Sequence, residues 1–151
     1  MKTLLIAYHS QSGASAALAL AAAAGARASG ELAVRCGRCA DLGSADLARV
    51  DALLLVCAEN NGRLNGGAKD FLDRIFYPTI ARGLVLPYGL LISAGSDGQG
   101  AVAEAQRIFK GIPFTPATEP QILHGLPDAQ ALDVAREFGE AFATGVAMAI
   151  F

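Results

Sequence analysis

Apolar and polar positions alternate along the chain in blocks whose lengths and periods separate strands from helices. Thr3 to Tyr8 is a short β-rich apolar run. A polar, glycine-containing loop follows it, and Ser15 to Ala28 then predicts a helix, capped by Ser15 and closed by Gly30. Leu32 to Cys36 predicts a second strand and Asp46 to Arg49 a helical turn. Ala52 to Cys57 predicts a third strand whose Leu-Leu-Leu-Val core is apolar on both faces, the mark of a strand in a sheet interior. After a Gly/Asn-rich loop from Ala58 to Gly67, the segment Ala68 to Ala81 places Phe71, Leu72, Ile75 and Phe76 at helical spacing, with Lys69, Asp73 and Arg74 on the other faces. Tyr88 to Ser93 predicts a fourth strand, Ala94 to Gly100 a small-residue loop and Val102 to Phe109 a helix. Gln121 to Leu123 marks a fifth strand behind a region broken up by Pro113, Pro116 and Pro120. Asp128 then caps a final helix running toward Phe151.

Strands alternating with helices require right-handed crossovers, and so a three-layer α/β fold around a doubly wound parallel sheet. For five strands the expected order is 2-1-3-4-5. Ligands then bind beyond the carboxyl ends of the first and third strands, at the switch point. The loops to inspect are therefore Ser10 to Ser15, Ala58 to Gly67 and Ala94 to Gly100.

Composition narrows the function class. The 151 residues form one expected domain, 1–151, and 53% hydrophobic against 17% charged residues excludes disorder. Twelve basic and 14 acidic groups leave a net charge of -2, and the basic residues are scattered, which argues against nucleic acid as a ligand. The N-terminal apolar run turns polar at His9, too soon for a signal segment or a membrane span, so a cytoplasmic protein is expected. The alanine-rich stretch from Ala16 to Ala24 reads as a tightly packed helix. Three cysteines suggest reduced thiols.

The first loop, Ser10-Gln11-Ser12-Gly13-Ala14-Ser15, lies between a strand and a helix, where free amides and the helix dipole favour an anion. Its three hydroxyls are donors for phosphate oxygens, and Gly13 permits close backbone approach. The spacing resembles the hydroxyl-x-hydroxyl-Gly-x-hydroxyl FMN phosphate loop of flavodoxins. Two departures from the family, Ala14 where Asn is common and serines for threonines, imply a weaker hold on phosphate.

A second stretch, Ala58-Glu59-Asn60-Asn61-Gly62 with Gly66 to Arg74, is similar to the loop and helix of NAD(P)H-dependent FMN reductases and flavodoxin-fold quinone reductases. The resemblance covers Met1 to about Ile112; the last strand and helix fit by topology alone. It implies FMN as cofactor and NADH or NADPH as donor. It further implies isoalloxazine contacts from Ala58, Glu59, Asn60, Asn61 and Gly62, and from Ala94, Gly95, Ser96, Asp97 and Gly98 of the third loop. Glu59 is placed to bond a flavin N–H or a main-chain amide, or to stay solvated.

Neither of these two loops holds an aromatic residue. That leaves one flavin face open, as a hydride acceptor needs, unless a second subunit closes it. The expected function is an FMN-binding NAD(P)H-dependent oxidoreductase serving a quinone, flavin or other small-molecule acceptor, with no side-chain acid or base assigned, no metal, and a homo-oligomeric state. A flavodoxin-type one-electron carrier is the alternative, although the weak net charge gives little steering toward protein partners. A flavodoxin-like regulatory domain without FMN is a third possibility. Cys36-Gly37-Arg38-Cys39 lacks the second pair a zinc site needs and reads as structural. His9 and His124 read as loop or interface residues as readily as proton donors. Lys69 and Asp73 form an ordinary i,i+4 pair.

Overall fold

Leu4, Leu5, Ile6 and Ala7 are almost wholly buried, because the strand that carries them has neighbours on both edges and helices on both faces. In the computed structural model, which describes residues 1–151, the chain runs β1 (Thr3–Tyr8), α1 (Ala14–Ala28), β2 (Ala33–Arg38), a 3-10 turn (Cys39–Asp41), α2 (Ser44–Leu47), β3 (Ala52–Asn60), β4 (Arg63–Leu64), α3 (Gly66–Ala81), β5 (Pro87–Ala94), α4 (Gln99–Gly111), β6 (Thr115–Pro116), β7 (Gln121–His124) and α5 (Ala129–Ala147). The sheet follows β2-β1-β3-β5, all parallel, with β6 and β7 on the outer edge of β5.

This is the doubly wound order expected, with two corrections. The fifth position is filled by two short strands, β6 beside Pro87 and Tyr88 and β7 beside Leu91 to Ala94. Pro116 and Pro120 carry no amide hydrogen, so a continuous ladder cannot form across the gap. The second correction concerns Ala58 to Asn60, which extend β3 instead of opening a loop. Asn61 (φ 52°) and Gly62 (φ 75°) form a two-residue hairpin that turns the chain back into the antiparallel strand β4. Positive φ at both central residues matches the right-handed twist of the flanking strands.

Side chains along the central strands alternate between two cores. Leu4, Ile6, Leu54 and Val56 face α1 and α5; Leu5, Ala7, Leu53, Leu55 and Cys57 face α2, α3 and α4. The alanine run of α1 buries Ala19, Ala22, Ala23 and Ala26. Small residues are needed there because α1 and α5 touch backbone to backbone: a Cβ on Gly25 would overlap the Arg136 carbonyl, and one on Gly139 the Ala22 carbonyl. No helix is long and apolar enough to cross a membrane.

Helix starts depart from expectation where glycine or asparagine takes the capping role. Helix α1 begins at Ala14, capped by Gly13 in the left-handed region (φ 98°), so Ser15 lies inside the first turn and is not the cap. Asn65 caps α3 by accepting from the Ala68 amide at 3.2 Å, drawing Gly66 and Gly67 into the helix. Asp128 caps α5 as expected, accepting from the Ala131 amide at 2.8 Å.

Candidate functional site

The carboxyl ends of β1, β3 and β5 open on a cleft of about 390 Å³ at the switch point. It gathers Ser10, Gln11, Ser12, Ala14 and Ser15 from the first loop, Ala58, Glu59 and Asn60 from the end of β3, and Ala94 and Gly95 from the third loop. Asn65, Ser93, Gly125 and Leu126 also line it, and sequence reasoning missed them. Gly125 and Leu126 belong to a fourth loop, after β7, whose part in the site follows from the register of an edge strand and not from any local pattern.

Six of the expected residues lie outside this lining. Gly13 caps α1 and lines an adjoining cavity of about 500 Å³ together with His9 and Arg38. Asn61 and Gly62 form the exposed hairpin tip, turned away by the pairing of β3 with β4. Ser96, Asp97 and Gly98 are taken up by the start of α4. There Asp97 accepts from the Gln99 amide, and Gly98, in the left-handed region, is the N-cap.

The first loop has the chemistry of an anion cradle. Only its Gly13 amide is satisfied locally, donating to Ser10 Oγ at 3.0 Å. The amides of Ala14, Ser15 and Ala16 stand at the first turn of a 15-residue helix, where no intrahelical acceptor exists. Ser15 is 2% exposed and its Oγ is buried without any hydrogen-bond partner. A buried hydroxyl left unpaired costs free energy, so a partner reaching it from the cleft gains that much more. No Lys or Arg lines the cleft; Arg38, in the adjoining cavity, is paired with Asp41 at 3.0 Å.

Across the cleft the loops are tied to one another. Asn60 Nδ2 donates to Gln11 Oε1 at 2.9 Å, bridging the first and second loops. Asn65, 1% exposed, donates through Nδ2 to the His9 carbonyl at 3.3 Å while its own amide donates to the Ala58 carbonyl. His124 Nδ1 lies 2.6 Å from the Ser96 carbonyl, and the Gly125 amide donates to the Ala94 carbonyl, joining the third and fourth loops. Glu59, half-buried in the cleft wall, takes the main-chain amide role among those expected of it. Its Oε1 accepts from Ser96 Oγ and the Gly98 amide, and its Oε2 from the amides of Gly100 and Ala101, at 2.9 to 3.3 Å.

Other candidates are structural. Cys39 is buried beside the sheet, and burial pushes its thiol up to about 12; burial also raises Cys36 and Cys57. None of the three offers a thiolate near neutral pH, the opposite of a reactive Cys-x-x-Cys pair. Lys69 and Asp73 form the expected i,i+4 ion pair at 2.7 Å. The His9 ring packs where a Cβ on Gly67 would sit, which accounts for a glycine in the first turn of α3.

No protein-family model and no curated protein matches the sequence. Solved structures do match by shape. A flavodoxin from the domain Archaea superposes with a TM-score of 0.80 at 16% identity, over 95% of this chain and 98% of that one. The two-electron reduced flavodoxin of Megasphaera elsdenii gives 0.76 at 24% identity over 93% and 98% of the two chains. A WrbA-like protein from Agrobacterium tumefaciens gives 0.78 at 16% over 98% and 99%. The fold is flavodoxin-like.

Proposed function

We propose that the cleft holds FMN and that the protein is an NAD(P)H-dependent oxidoreductase delivering electrons to a quinone, a free flavin or a similar small acceptor. The observation that carries the cofactor is the buried, unpartnered Ser15 hydroxyl beneath a loop of unsatisfied amides. A phosphate dianion supplies acceptors for all of these donors, whereas a cation has no counter-charge in the loop. Ser10, Ser12 and Ser15 would hold the phosphate. The walls formed by Ala58, Asn60, Ala94 and Gly95 would flank the ring, with Leu126 at the rim. FMN, when bound, supplies two-electron redox chemistry; the protein binds and orients.

The enzyme reading rests on the lining. Its side chains are small or polar apart from Leu126, and none is aromatic, so a nicotinamide and then an acceptor have room to stack in turn. The second reading, a one-electron carrier, draws on the flavodoxins that match almost end to end. The two separate in one experiment on the FMN-loaded protein without oxygen. NADH or NADPH is expected to bleach the flavin absorbance in a single two-electron phase, and a quinone to restore it over many turnovers. No bleaching by either nicotinamide, while a one-electron donor reduces the protein readily, decides for the carrier.

A further inference from the structure

Glu59 sits at the end of β3, yet its carboxylate serves a different element. All four of its hydrogen bonds come from the segment that leaves β5 and starts α4, namely Ser96 Oγ and the amides of Gly98, Gly100 and Ala101. A carboxylate has roughly four acceptor sites, so none remains for a ligand. Helix α4 has no side-chain cap of its own, since Gly98 stands at its N-cap. Glu59 therefore supplies the missing cap from across the cleft and places a negative charge at the positive end of the helix.

The fastening is reciprocal. Glu104, on α4 and only 6% exposed, accepts from the Leu64 amide of β4 at 3.1 Å and from Arg63 Nε at 2.7 Å. Between the two carboxylates, Gly100 lies so close to the hairpin that a Cβ there would overlap the Gly62 carbonyl. The hairpin and the first two turns of α4 thus meet at three points. Two of these three contacts lie outside the cleft lining, on the side where Gly62 and Glu104 stand.

We infer that Glu59 is a positioning residue, which locks the second and third loops into one wall of the cleft and sets the FMN ring site without touching FMN. The inference rests on the proposed cofactor for its ligand half; the clamp itself is a property of the free protein. A direct contact and a clamp differ in what they predict. Were Glu59 an acceptor for a ring N–H, Glu59→Gln would keep an oxygen for it and only ligand binding would respond. As a clamp, the glutamine offers a single acceptor oxygen and turns an NH₂ donor toward amide donors, so the third loop loosens before any ligand arrives.

The test is amide hydrogen exchange on the ligand-free wild type and Glu59→Gln, followed by titration of each with FMN and with riboflavin. Exchange at Gly98, Gly100 and Ala101 is expected to quicken by about ten-fold or more in the variant, with Leu4 to Ala7 unchanged, as befits lost charge-assisted bonds. FMN and riboflavin affinities should fall by the same factor, about ten-fold, because the ring wall is disturbed and the phosphate cradle is not. Unchanged exchange at the three amides overturns the clamp. Normal wild-type exchange at these amides combined with no flavin binding by the wild type overturns the proposed cofactor, and the ligand half of the inference with it, while leaving the clamp measured on its own. A loss confined to FMN, with riboflavin unaffected, overturns the assignment of Glu59 to the ring wall.

Discussion

Ser15→Ala is expected to raise the stability of the free protein and to weaken FMN binding, two changes of opposite sign from one hydroxyl. In the free protein Ser15 Oγ is buried with no partner, so its removal relieves a desolvation cost, and alanine is the better helix former in the first turn of α1. Together these contribute about 1 kcal/mol, or a rise of about 2–4 °C in melting temperature for a domain of this size. With FMN bound, the same hydroxyl would donate to a charged phosphate oxygen, a bond of about 1.5–3 kcal/mol, so affinity should drop about ten-fold or more. Thermal melts with and without FMN read both signs at once. A structural serine would behave otherwise, with melting temperature and affinity moving in the same direction. Ser12→Ala, at an exposed position, should lower the affinity alone.

Gly139→Val is expected to damage the fold severely. Valine also replaces a helix-weakening glycine, which by propensity alone would favour the variant by a few tenths of a kcal/mol. Against that stands a backbone clash: a Cβ at Gly139 would overlap the carbonyl, carbonyl carbon and Cα of Ala22, none of which can swing aside as a side-chain end would. Helices α1 and α5 would have to separate, opening the core around Ala19, Ala23 and Phe142. Overpacking of this kind costs about 3 kcal/mol at the upper end of its usual range, so the melting temperature should fall by about 6–12 °C. Thermal unfolding monitored by circular dichroism checks this. A midpoint within error of wild type would show that the two helices are not in backbone contact.

Most of the scaffold was readable because parallel strands buried on both faces announce themselves. The runs Leu4 to Ala7 and Leu53 to Val56 admit few alternatives, and glycines and Asp128 punctuate the helices between them. The hairpin after β3 carried its signal in Asn61-Gly62, the strongest short hairpin dipeptide. Its flanking residues, Glu59, Asn60 and Arg63, lack the apolar alternation that would have completed the pattern. A hydroxyl just before an apolar run usually marks a cap, whereas here Gly13 adopts the left-handed conformation and leaves the Ser15 hydroxyl unpaired inside the turn. The fourth loop was not legible at all. Gly125 and Leu126 reach the cleft only because β7 pairs with the carboxyl half of β5, a register no local sequence encodes.

The proposed FMN site holds a phosphate dianion by neutral donors between β1 and α1. Its most direct test is a paired titration of the ligand-free wild type with FMN and riboflavin, following flavin fluorescence. Several charge-assisted hydrogen bonds to the phosphate should separate the two dissociation constants by about a hundred-fold or more in favour of FMN. Equal affinities for FMN and riboflavin, or no binding of either, would contradict the assignment of Ser10 to Ser15 as the phosphate site.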